Sequence, residues 1–244
     1  MASFSSFQNI LPDPNNEIGD AGQVSGTAGP GFASVSISSE QKTLRDRTNS
    51  GRILARAKTG HKWNIKIQYN PMTRADFEPV YNFLLHRRGA LNPFFVSLPQ
   101  YRTPQDSTFA TFSDGTTLKS SALVAAGATS LTMYGNTGSG YSYTANGTPR
   151  PGDLFTVDGA NSNHKKAYMV NRVETYDNYL GSAQPSTNQV RVHFTPGLSR
   201  SVAQNDDFIF HNPLIKVIMT TDIQEYSLNT NNLYSFSLSL EEVQ

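Results

Sequence analysis

His61-Lys62-Trp63-Asn64-Ile65-Lys66-Ile67-Gln68-Tyr69-Asn70 is written in strict alternation. Trp63, Ile65, Ile67 and Tyr69 fall on one face, and Asn64, Lys66 and Gln68 fall on the other. A period of two in aromatic and β-branched residues predicts a half-buried strand. Pro71 ends it, because proline cannot donate to a sheet ladder. Such a strand needs partners, so the rest of the chain must supply a sheet.

Downstream, Thr73 and Asp76 approximate a capping box. Phe77, Val80, Tyr81 and Leu84 then form an apolar stripe at helical spacing. His86, Arg87 and Arg88 suit the carbonyl end of a helix, and Gly89 suits a left-handed stop. Pro79 conflicts with a single helix from Thr73, so a short turn is expected, followed by a helix to about Arg88. Pro93 to Pro99 reads as a short apolar strand around Phe94 and Phe95.

From 104 to 213 the pattern becomes a series of short strands: Ser130 to Tyr134, Asp153 to Val157, Lys166 to Glu174, Gln189 to Phe194 and Asp207 to Phe210. Ala122 to Ala128 fits strand or helix. Close spacing of this kind predicts a small barrel or sandwich. Leu214 to Thr220 and Leu233 to Val243 follow. In the latter, Tyr234, Phe236, Leu238 and Leu240 alternate with Ser235, Ser237 and Ser239. The Trp63 and Tyr234 segments are expected to share one sheet.

The predicted fold is mainly β. A discontinuous, β-sandwich-like core with one short helix (41–103 and 214–244) carries an inserted small β-barrel or sandwich domain (104–213). Residues 1–40 are rich in Gly, Ser and Asn and read as an extended N-terminal arm. The arm is either disordered or laid on a neighbouring subunit that buries Phe4 and Phe7. Phe32, Val35 and Ile37 begin the first true strand.

The 244 residues carry a net charge of +1, and only 16% of them are charged. Nucleic-acid wrapping needs a concentrated basic face, which this balance does not supply. The chain has no cysteine, which removes disulfides, thiolate catalysis and cysteine-ligated zinc. No signal-peptide pattern opens the chain, and no apolar run is long enough for membrane insertion.

The search for chemistry returns little. His61, His86, His164, His193 and His211 have no metal-ligand spacing and read as surface or cap residues. Asp206-Asp207 and Glu241-Glu242 are adjacent, so strand geometry points each pair to opposite faces. Glu241-Glu242 is expected to close its strand with solvated charge. Gly135 to Gly140 looks like a phosphate loop but lacks the Lys-Ser/Thr ending and the helix. No catalytic residue, metal site or cofactor is expected. Arg45, Arg47, Arg52 and Arg56 form a local basic stretch with Lys58. The stretch reads equally well as a subunit interface or as a solvated loop. Tyr141, Tyr143, Tyr176 and Tyr179 could stack sugars, or simply cap a small core.

Taken in order, several motifs resemble those of bacteriophage distal tail proteins, a tail-tip (baseplate) family. They are the Trp63 to Tyr69 strand, Pro71-Met72-Thr73, Phe77 to Gly89, and Phe94 to Pro99. Gly127 to Ser130, Pro151 to Phe155, Ala167 to Val170, Phe194 to Leu198, and the closing strand with Phe236 and Leu238 continue the likeness. The resemblance spans about 61–243, and the first 40 residues match no part of the pattern. It implies a non-enzymatic structural virion protein at the tail tip, assembled in the host cytoplasm. Its partners would be copies of itself, commonly in a hexameric ring, together with tail tube and hub or baseplate proteins. The alternative is a carbohydrate-binding adhesin module used in host recognition.

Overall fold

The computed structural model of the chain describes residues 6–57, 60–135, 140–158, 166–181, 183–222 and 225–243. In chain order the elements begin with β1 (Glu17–Ile18), β2 (Thr27–Ala28), β3 (Phe32–Glu40), β4 (Thr43–Arg47), β5 (Ile53–Ala57), β6 (Lys62–Tyr69), α1 (Arg74–Arg87) and β7 (Phe94–Ser97). Then come α2 (Ser107–Ser113), β8 (Leu118–Ser120), β9 (Ser130–Gly135), α3 (Tyr143–Asn146), β10 (Leu154–Asp158), β11 (Ala167–Glu174), β12 (Gln189–Thr195) and β13 (Asp207–Ile209). The series ends with β14 (Leu214–Met219), β15 (Ser227–Leu228), β16 (Tyr234–Ser235) and β17 (Ser237–Glu242). The fold is mostly β, with a closed barrel and a separate sheet. Two compact units result: Met1–Val96 with Lys216–Val243, and Ser97–Ile215.

The first unit is built on a five-stranded sheet in the order β3-β6-β17-β14-β7. The two alternating strands lie side by side, with Ile65 opposite Leu240 and Ile67 opposite Leu238. Trp63, Ile65, Ile67 and Tyr69 are all buried, as are Leu238 and Leu240. Each such side chain contributes roughly 1.5–3 kcal/mol of burial. Tyr69 stacks on Phe236, with ring centroids 4.5 Å apart. Helix α1 packs through Phe77, which stacks on Tyr234 at 4.6 Å, and through Phe83, whose ring meets Phe94 edge-on at 5.5 Å.

The helix starts at Arg74, not near Pro79. Pro79 removes one hydrogen bond, to the carbonyl of Ala75, and Ala75 is exposed, so that carbonyl can be solvated at little cost. The Thr73 hydroxyl donates to Asp76 at 2.7 Å instead of capping a backbone N–H. At the other end Arg88 already adopts the left-handed region (φ 54), ahead of Gly89 (φ 64). A Cβ at Gly89 would meet the Asp222 backbone at 3.2 Å and the positive φ would strain it, which favours glycine there.

The first forty residues are more than an arm. Leu11 and Ile18 are buried, and β3 is a full member of the sheet. Leu11 N–H donates to the Phe95 carbonyl (2.7 Å) and Phe95 N–H to the Asn9 carbonyl (2.9 Å), which covers the outer edge of β7. These core residues are isolated in sequence and carry no period, so pattern reading passes over them. Phe4 lies outside the described residues.

In the second unit, six strands close into a barrel in the order β10-β11-β12-β9-β8-β13. Val190, Val192 and Phe194 point inward from β12, and Leu131 and Met133 from β9. The centre is aromatic. Phe155 meets Phe194 at 5.5 Å and 89°, and Phe210 at 5.1 Å. Helix α2 adds Phe109, fully buried, and is capped by Asp106, whose carboxylate accepts from the N–H groups of Thr108 and Phe109, both at 3.0 Å. Ala122 to Ala128 is neither strand nor helix; Val124 makes a single bridge to Val202.

Candidate functional site

Among the described residues, no group of three or more acidic or histidine side chains is placed to hold a metal. Asp206 and Asp207 diverge as strand geometry requires. Asp206 accepts from Ala203 N–H at 2.7 Å, while Asp207 pairs with Lys119 at 2.7 Å. Glu241 and Glu242 diverge likewise, but one expectation for them fails. Glu241 meets Lys62, whereas Glu242 is buried and accepts from Trp63 N–H at 3.4 Å. Glu242 is therefore an internal acceptor, not solvated charge. His164 and the glycine-rich residues 136–139 lie outside the described residues.

Two surfaces of the first unit stand out. The far edge of β3 faces no other strand of the sheet. Strands β4 and β5 form a separate hairpin, closed by a turn in which Gly51 (φ 82) donates to the Thr48 carbonyl at 2.8 Å. All of β4 is exposed, as are Ile53 to Arg56. Leu44 is 61% exposed, Ile53 58% and Leu54 49%. Opposed residues share a face, which puts Leu44, Asp46, Leu54 and Arg56 on one side and Arg45, Arg47, Ile53 and Ala55 on the other. The arginines are therefore divided: Arg45 and Arg47 together, Arg56 opposite, and Arg52 at the turn. Lys58 lies outside the described residues. A two-stranded ribbon with no apolar cover is marginal in water.

The four tyrosines do not make one platform. Tyr141 is a core residue, packed against Phe112 at 5.2 Å, with its hydroxyl donating to the Gly147 carbonyl at 3.1 Å. It offers no face to a sugar. Burial pushes its phenol well above the usual range. Tyr143 packs on the barrel core and its hydroxyl donates to Asp177. Only Tyr176 and Tyr179, each 42% exposed, remain open among the four.

A charged cluster on the barrel escapes sequence reading. A bulge between Val170 and Arg172 shifts the register of β11 against β12 and turns Glu174 to the outer face of the barrel, where its ion partners cover it and leave its side chain 4% exposed. Arg172 (2.9 Å), Arg191 (3.0 Å) and His193 (3.2 Å) surround its carboxylate. Burial pushes that carboxyl up. His193, Arg191 and Arg172 together outweigh burial and hold it below the usual range. His193 Nε2 also lies 2.9 Å from Arg172, so it either accepts from arginine or, protonated, donates to Glu174. His193 is thus part of an ion cluster, not a plain surface residue. The cluster offers no nucleophile and stabilises the strand pair.

No family model matches the chain. Over 216 residues it is 26% identical to distal tail protein pb9 of Escherichia phage T5, covering 88% of this chain and 93% of that protein. This distant likeness across nearly the full length of both chains supports a phage distal tail relationship.

Proposed function

We propose that the protein is a structural, non-enzymatic subunit of a phage tail, and that copies of it form a ring, commonly six-fold, joining the tail tube to the tip or hub. The exposed β4–β5 hairpin carries this reading. Its leucines, isoleucine and arginines are all exposed. Neighbours on its two faces would bury Leu44 and Leu54 beside Arg56 on one side and Ile53 beside Arg45 and Arg47 on the other, with Arg52 at the turn. The open edge of β3 is a second place for a neighbouring chain to add strands. Phe7, exposed on the N-terminal segment, is a third contact. A ring subunit of this kind needs no cofactor.

Sedimentation of the full chain over a concentration series tests the proposal, together with electron microscopy of virions labelled against the protein. Closed rings and label at the tail tip are expected. A single monomeric species at every concentration, with label absent from tails, would overturn it. Changing Arg45 and Arg47 to Glu should shift the ring toward monomer without altering the melting temperature.

A further inference from the structure

A cavity of about 480 Å³ opens in the first unit between the N-terminal segment and α1. Phe7, Ile18, Phe83, Arg87, Asp20 and Glu78 are among its walls. The wall is rigid on one side. Gln8 N–H donates to the Gly22 carbonyl (2.9 Å), and the Gln8 side-chain oxygen accepts from the N–H groups of Asn9 (2.9 Å) and Ile10 (3.0 Å).

Arg87 is the chemically unusual member. Its guanidinium lies over the Phe83 ring, 4.4 Å from the centroid, and Nη2 donates to the Gln8 carbonyl. Nε is buried with no acceptor. No carboxylate among the described residues pairs with it. Glu78 is engaged by Arg74 at 2.6 Å, and Asp20 makes no ion pair with Arg87. Burial lowers the affinity of Arg87 for its proton. A half-buried cation in partly apolar surroundings, with one neutral acceptor, is under-compensated. A carboxylate supplies the missing charge-assisted hydrogen bonds.

We infer that this cavity binds an organic carboxylate with an apolar body. The acid pairs with Arg87, and the apolar part lies against Phe7, Ile18 and Phe83. Phe7, 63% exposed, is then a wall of the site and gains cover when it fills. The acid comes either from a free small molecule or from an Asp, Glu or C-terminus of a polypeptide. This inference does not depend on the ring reading.

The test uses the full chain and saturation-transfer NMR, with phenylacetate, its neutral isostere phenylacetamide, and acetyl-Phe-Glu-amide as probes. Saturable phenylacetate binding is expected, with phenylacetamide at least about tenfold weaker, the loss of one charged hydrogen bond. Tighter binding of the peptide than of phenylacetate assigns the site to a polypeptide, and the reverse assigns it to a small acid. Arg87→Gln should abolish the preference for the acid, and Arg87→Lys should retain part of it. Phe7→Ala, at an exposed position, should weaken phenylacetate and the peptide with the melting temperature unchanged. Equal binding of acid and amide, or no saturable binding of any probe, overturns the inference even if the arginine variants fail to fold.

Discussion

The barrel and the five-stranded sheet treat their hydrogen-bonding edges in opposite ways. In the barrel, β10, β11, β12, β9, β8 and β13 close on one another, and phenylalanines fill the centre. In the sheet, β7 is covered by residues 9–11 while β3 keeps an open side, and the neighbouring β4–β5 hairpin is exposed on both faces. Closure leaves no row of unpaired N–H and C=O groups, so a barrel is complete as a single copy. In the proposed assembly, the open sheet and its hairpin are the places where a second chain would lower the free energy. The contrast separates what holds a single copy together from what the proposed assembly would use to join copies.

Substitutions can break or sharpen that contrast. Phe155→Ala should have the largest effect. It empties the aromatic centre of the barrel, where Phe155 is fully buried, and should cost about 3–5 kcal/mol in urea unfolding. A loss below about 1 kcal/mol would mean that the barrel core is not the stabilising centre. Glu174→Gln should come next, at about 1–2 kcal/mol, because it leaves Arg191 and the half-exposed Arg172 beside a neutral amide. The pH dependence gives its sign. The Glu174 carboxyl is held below its ordinary range in the folded state, so its contribution is complete above about pH 4.3 and fades as pH falls through the depressed value. The gap in melting temperature between wild type and Glu174→Gln should therefore narrow below that pH. A gap constant down to pH 3 would remove the electrostatic account.

Asp106→Ala should cost about 1 kcal/mol, since it removes the cap of α2 that accepts from Thr108 and Phe109. Asp106→Asn should recover most of it, measured by thermal unfolding. The smallest effect on a single copy belongs to the hairpin: Leu54→Ala should change stability by under about 0.5 kcal/mol. Sedimentation of the same variant should nonetheless show weakened self-association. A large loss of stability with association intact would reverse the roles assigned to the two regions.

Much of this was legible in the residues themselves. The alternation at Trp63–Tyr69 and Phe236–Leu240 places both strands in one sheet, and burial of every second residue follows. The barrel strands show themselves through Val190, Val192 and Phe194. Glu174 was hidden because a bulge reverses the face of its strand, and a two-residue period carries no mark of where such a slip occurs. Leu11 and Ile18 were hidden because isolated apolar residues have no period. Helix α2 did leave a signal in Asp106 followed by Ser107, but at seven residues it is too short for an apolar stripe. Arg87 looked like a dipole-compensating cation at a helix end. Its stacking on Phe83, four residues earlier on the same helix, is a local pairing, but its bond to the Gln8 carbonyl and its lack of an acid depend on how residues 7–22 fold back, which local sequence does not encode.

The pairing of β6 with β17 also sets a schedule. β17 sits between β6 and β14, yet it follows every other described strand in the chain. During synthesis, the whole barrel leaves the ribosome before the middle of the sheet exists. The sealed module can fold while the other waits with β6 and β14 unjoined, a stage at which bare edges invite mispairing. The sheet is therefore completed only once β17 has emerged, after every strand of the barrel.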